Sequence, residues 1–188
     1  MTTIACAPSP SRPDPKKDPA RKPPTLAPRP DDIPLVLTAL PQWIRWRWTW
    51  NAARRYWTKV PVCARAARNA SATDPKTWGA FADVVSRLDQ DEVDGIGFVF
   101  TAADPFCGVD LDKCRDPETG AISDDALDVL VALDGYGELS VTGTGVHVIV
   151  RASMGDLGGK KSSFIEVYDR ARYFTMTGHR LPTREAAR

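Results

Sequence analysis

The chain has 188 residues, 43% of them hydrophobic and 26% charged, with a formal net charge of +1. That is enough apolar material for one domain, or one domain with a tail, but the balanced charge gives no bulk attraction to nucleic acid, so any basic surface must be local. No apolar run reaches the roughly 18 residues of a membrane span, the proline-rich start lacks a secretory h-region, and Cys6, Cys63, Cys107 and Cys114 form no C-x-x-C pair, which argues against a zinc site and for reduced thiols in a cytoplasmic protein.

Residues 1–32 are dominated by proline, with Lys16, Lys17, Arg21 and Lys22 interspersed. Such a segment buries too little apolar surface to fold. It is predicted to be a disordered, partly polyproline tail, and removing residues 1–30 is expected to leave thermal stability nearly unchanged. Its basic residues either touch nucleic acid or simply solubilise the chain. Residues 33–40 predict a short helix capped by Asp31 or Asp32. Residues 43–49, W-I-R-W-R-W-T, predict a strand. A turn at 51–55 and a second strand at 56–61 complete a hairpin. Spacing of two puts Trp46, Trp48 and Trp50 on one face and Trp43 on the other; core packing and base-stacking platforms are the two readings. After a loop at 63–74, Thr73 or Asp74 with Pro75 starts a helix running to about Leu88.

Strands are expected at 95–100 and 106–112, separated by the Asp104-Pro105 turn. A loop at 114–123 leads to a helix over 123–134 with Leu127, Leu130 and Val131 on its apolar face. Strands at 139–142 and 145–151 flank a glycine-bearing turn. A Gly/Lys loop at 154–163 precedes a last pair of strands at 164–168 and 172–177. Strand pairs joined by tight turns, with few helices, predict an α+β domain with a mostly antiparallel sheet.

The chemistry concentrates on Gly108-Val109-Asp110-Leu111-Asp112. On a strand this spacing places both carboxylates on one face and both apolar side chains on the other. Crowded carboxylates repel unless a cation sits between them, and an oxygen-rich site of that kind suits Mg²⁺ or Mn²⁺. Two further strands carry the same pattern of an ionisable residue between apolar ones: Val146-His147-Val148 and Ile165-Glu166-Val167. Taken singly, His147 reads as a hydrogen-bonded structural residue and Glu166 as a solvated one. Together, three carboxylates on neighbouring strands can hold two divalent ions that bridge nucleotide phosphates. The turn Thr142-Gly143-Thr144-Gly145 leads directly to His147. It is either a plain hairpin turn or a backbone nest for a phosphate, with His147 reaching the same triphosphate.

These stretches, Gly108 to Asp112, Ser140-Val-Thr-Gly-Thr-Gly-Val-His147 and Ile165-Glu166, resemble the three motifs of the archaeo-eukaryotic primase superfamily. The surrounding Trp57-Thr58-Lys59-Val60-Pro61, Thr73-Asp74-Pro75 with Trp78, Asp94-Gly95-Ile96-Gly97-Phe98 and Tyr173-Phe-Thr-Met-Thr-Gly-His179 are similar to its primase-polymerase branch of phages and plasmids. The likeness covers roughly residues 33–182, leaving 1–32 and 183–188 as tails. It implies an RRM-like catalytic sheet beside a small N-terminal α/β unit, and template-directed transfer of nucleotides from NTPs or dNTPs on single-stranded DNA. It implies Asp110, Asp112 and Glu166 as metal-binding acids and His147 at the nucleotide phosphates, with the Thr142–Gly145 loop beside them. Lys59 and Arg172 become candidate phosphate or template contacts, and Lys160 and Lys161 candidates for tracking a template backbone. No P-loop occurs before Arg188, so the expectation is a stand-alone module or a fragment, served by a helicase in trans or in a fused domain. The rivals are a non-catalytic single-strand-binding module of the same fold and a metal-dependent nuclease or phosphohydrolase.

Overall fold

A computed structural model describes residues 15–90, 92–133, 135–155, 159–162 and 164–181. It is a mixed α+β structure, and every strand pairing among the described residues is antiparallel. The strands are β1 (Trp43–Asn51), β2 (Tyr56–Val62), β3 (Gly95–Phe100), β4 (Phe106–Leu111), β5 (Tyr136–Leu139), β6 (Val146–Arg151), β7 (Lys160–Ser162), β8 (Ile165–Tyr168) and β9 (Arg172–Met176). The helices are α1 (Leu35–Thr38), α2 (Phe81–Val85) and α3 (Asp124–Ala132). No described helix is long and apolar enough to cross a membrane.

The strands form two sheets, β2-β1-β3-β9 and β5-β6-β4-β8-β7. The smaller sheet is not a purely N-terminal unit, because β9, from the end of the described chain, pairs with β3. β2 is an edge strand, which is where Pro61, lacking an N–H, is tolerated. One face of the larger sheet carries Val109, Leu111, Val146 and Val148, which pack on Ala126 and Leu130 of α3. The opposite face carries Phe106, Tyr136 and Ile149, which join Phe98, Phe100 and Phe174 of the smaller sheet in the main core. The period-two alternation of β4 therefore sends its apolar residues under α3 and turns Asp110 toward the smaller sheet.

Several expected boundaries move. The helix predicted over 75–88 is split. Asp74 accepts from Lys76 N–H at 3.1 Å and starts a 3₁₀ turn at Pro75–Thr77. Gly79 then exchanges two backbone hydrogen bonds with Trp43, at 3.1 and 2.9 Å, and this pairing keeps Trp78 extended until α2 begins. A Cβ at Gly79 would lie 2.7 Å from that of Ala64, so only glycine fits the crossing. Helix α1 is capped by neither Asp31 nor Asp32; Pro34 precedes it. In α3, Leu130 is buried while Leu127 and Val131 are exposed, the reverse of their expected role. The Gly/Lys loop contains an edge strand, β7.

The segment expected to be unstructured departs from that expectation over residues 15–32. Leu26 N–H donates to Val141 O (2.9 Å) and Arg29 N–H to Thr177 O (2.8 Å). Trp48 Nε1 donates to Thr25 Oγ1, and Trp57 Nε1 to Asp18 O, both at 2.8 Å. Composition alone hides this because the partners are backbone and indole groups of the folded body, which a polar, proline-rich strap can satisfy without a core of its own. Residues 1–14 and the expected C-terminal tail, 183–188, lie outside the described residues.

Candidate active site

The four strand registers of the larger sheet place one residue from each of its strands in a single transverse row. Glu138 pairs with His147, His147 with Asp110, Asp110 with Glu166, and Glu166 with Lys161. Directly paired residues share a face, so this row is a line of ionisable side chains across β5, β6, β4, β8 and β7.

His147 stands between Glu138 and Asp110 and is 2% exposed. Its Nε2 is 3.6 Å from Asp110 Oδ1 and its Nδ1 is 3.6 Å from Glu138 Oε1. Its ring packs on Phe174 with centroids 4.9 Å apart. Phe174 and Phe100 in turn lie over Gly108, where a Cβ would come within 2.5 and 2.6 Å of their rings. The glycine before the acid pair thus lets the aromatic floor approach the strand. Glu166, also buried, accepts from Tyr168 Oη–H at 2.9 Å and pairs with Lys161 and, at 3.4 Å, with Arg172.

Asp110 is partly open to a cleft of about 480 Å³ between the sheets, whose walls include Lys59, Trp48, Trp57, His147 and Arg172. Lys59 reaches in from β2 and donates to Thr175 Oγ1 at 3.5 Å. Loss of hydration, and then the nearby charge of Lys16, lower its pKa to about 8, against the opposing pull of Asp110 and Asp112. Arg172 sits over the Tyr168 ring at 4.7 Å. Asp112 is exposed in the turn just past β4, its N–H still bonded to Phe164 O at 2.8 Å.

Of the residues singled out from the sequence, Asp110, His147, Lys59 and Arg172 meet at this cleft, and Glu166 stands next to Asp110. The Thr142–Gly145 loop is not part of the cleft wall. Its backbone is folded on itself and on Arg115: Gly143 N–H donates to Ser140 O (2.8 Å), Gly145 N–H to Ser140 Oγ (3.0 Å), and Arg115 holds Gly143 O (2.8 Å). Lys161 is engaged by Glu166, while Lys160 is exposed. Trp43, Trp46 and Trp48 are buried core residues, Trp48 also lining the cleft together with the half-buried Trp57. Sequence reasoning missed Glu138, Tyr168 and Arg115. The available signal for Glu138 was its place two residues after Tyr136, in a strand that begins earlier than residue 139.

No group of three or more His, Cys, Asp or Glu side chains among the described residues is close enough to hold a metal ion. Glu166 is drawn to its cationic neighbours and Asp112 faces outward. The donor chemistry nevertheless fits a hard divalent cation: Asp110 and Glu166 are paired carboxylates on adjacent strands, and Asp112 follows two residues on.

No family model matches the chain. Over 154 aligned residues it is 32% identical to a protein of Nitratiruptor phage NrS-1 named DNA primase-polymerase, an overlap of 78% of this chain and 21% of that protein. The chain is thus related to a phage primase-polymerase and spans about one fifth of that relative's length.

Proposed function

We propose that a chain so related is the catalytic module of a template-directed nucleotidyltransferase, a DNA primase, a DNA polymerase or both. The observation that carries this reading is the row His147–Asp110–Glu166 beside a cleft lined with cations and indole rings. The larger sheet backed by α3 is taken as the RRM-like catalytic sheet of such enzymes. Asp110, Asp112 and Glu166 are the residues that would hold Mg²⁺ or Mn²⁺, which would supply positive charge to activate an attacking hydroxyl and neutralise a triphosphate.

The chain's own residues then bind and orient. Lys59 and Arg172 face the polyphosphate, and His147 Nε2 is turned toward the same space past Asp110. Trp57, half-buried at the cleft wall, offers a face to a base of nucleotide or template. Arg172 and Lys161, which pair with Glu166 here, are cations that substrate phosphates would draw on. A 3′-hydroxyl attacks in line at the α-phosphate and pyrophosphate leaves, with catalysis resting on positioning and charge stabilisation. The Thr142–Gly145 loop is reserved for phosphate or template contacts that require it to open from Ser140. A helicase, in trans or fused beyond this sequence, supplies single-stranded template.

The test is incorporation of labelled nucleotide on single-stranded DNA with Mg²⁺ or Mn²⁺, comparing NTPs, dNTPs and mixtures. Wild type is expected to make product. Asp110→Ala and Asp112→Ala are expected to lose on the order of 10²–10³-fold or more with unchanged circular dichroism, as when one electrostatic stabiliser is removed. Full activity in either variant refutes the assignment. Binding without synthesis points instead to a binding module, and strand loss without added nucleotide points to a nuclease.

A further inference from the structure

The carboxylate of Glu138 is fully buried, at 0% exposure, yet it faces the cleft residue His147 rather than the cleft. Three donor groups converge on it. Thr177 N–H lies 3.0 Å from Oε1 and 3.1 Å from Oε2, Gly178 N–H 2.8 Å from Oε2, and Tyr136 Oη–H 2.8 Å from Oε2. Backbone amides can only donate, so both oxygens are held as acceptors. Burial first, and then the neighbouring carboxylate, push the Tyr136 phenol well above its usual pKa, so it too remains a donor.

The receptor is built by the Thr177-Gly178 bend that follows β9. Gly178 has φ +70, and a Cβ there would run into the Arg29 carbonyl. The bend also runs along β5, through Leu139 N–H to His179 O at 3.0 Å and Leu181 N–H to Gly137 O at 2.8 Å. Glu138 therefore has little freedom to move. Its Oε1 stands 3.6 Å from His147 Nδ1, a buried nitrogen with no hydrogen-bond partner among the described residues. A few tenths of an ångström closes that gap to a hydrogen bond.

We propose that Glu138 is a positioning residue for His147: clamped by the Thr177 and Gly178 amides, it accepts the Nδ1–H proton, fixes the ring on Phe174 and leaves Nε2 as the atom presented to Asp110 and the cleft. This deepens the nucleotidyl-transfer reading, and only its activity arm rests on that reading. The chain holds two histidines. Ring-nitrogen NMR of the full chain therefore shows two sets of signals, and His179→Gln identifies those of His147. A protonated, exchange-protected Nδ1 is expected in wild type; an unprotonated Nδ1 overturns the proposal, whether or not any variant folds. Glu138→Gln keeps a carbonyl for the amides but turns a donor toward Nδ1. It should abolish the Nδ1–H signal and raise the nucleotide KM by about tenfold or more, the scale seen when the carboxylate behind a metal-ligating histidine is lost, with template affinity unchanged. An unaltered ring spectrum and an unaltered KM in a folded Glu138→Gln protein also overturn it. If wild type synthesises nothing but Nδ1 is protonated as described, the transfer reading fails and the role of Glu138 stands.

Discussion

Lys59 is a cation with little water around it, and that makes its proton a reporter on the cleft. Its ammonium titrates near 8 instead of 10.5, and the charged groups facing it are Lys16, Arg172, Asp110 and Asp112. The unfolded chain holds the proton more tightly, so the charged form costs folding stability below about pH 8, and the cost is relieved as pH rises from about 8 to 10.5. A bound triphosphate works in the opposite direction by stabilising the ammonium. Nucleotide affinity is therefore expected to fall above pH 8, by up to about tenfold per pH unit, as binding must first take up a proton. Titration of nucleotide affinity between pH 7 and 9.5 checks this, and Lys59→Arg, which stays charged, should flatten the profile. At this scale the residue types were legible before the fold was known: Asp110, His147 and Glu166 come from residue pattern, and Lys59 and Arg172 from the family resemblance of the stretches around them. Glu138 was not, because an acid read as preceding a strand has no visible partner until Thr177 and Gly178 arrive from the far end of the chain.

β4 carries the proposed site on one face and core packing on the other. Val109 and Leu111 are buried under α3, while Gly108 and Asp110 face the smaller sheet. Gly108 is the narrowest point, since Phe174 and Phe100 occupy the space a side chain would take. Gly108→Ala should cost about 1–3 kcal/mol by overpacking, read as a lowered urea midpoint with an unchanged slope. It should also displace the Phe174 ring that supports His147, so nucleotide use should suffer more than template binding. A variant with wild-type stability would mean the aromatic floor is looser than these distances require. Element type was mostly legible, and the misses share one cause. The helix expected over 75–88 breaks where Gly79 pairs with Trp43, and the edge strand β7 forms only because β8 offers it a partner. Local propensity cannot report a backbone partner that is distant in sequence.

Across the whole molecule, the N-terminal strap and the C-terminal bend hold the two sheets together from outside. Residues 18–29 bond to Trp48, Trp57, Val141, Thr177 and His179, and Lys22 pairs with Asp94 at 2.7 Å. Starting the chain at Asp31 removes these links, each worth about 1 kcal/mol net. The melting temperature should fall on the order of 10 °C for a domain of this size, measured by calorimetry. A fall of under about 2 °C would show that the strap rests on the body without stabilising it. The strap also contributes to Lys59's surroundings through Lys16, so the truncated chain should show a raised Lys59 pKa.

Alternation and turn signals pointed to an antiparallel α+β chain and its main strands, and the patterned acids with the family resemblance singled out Asp110, His147 and Glu166, because alternation along a strand is a local property. Two separate sheets, the strap laid over them, and the row from Glu138 to Lys161 were decided by tertiary structure. Register between strands depends on partners many residues away, and only that register determines which charges become neighbours.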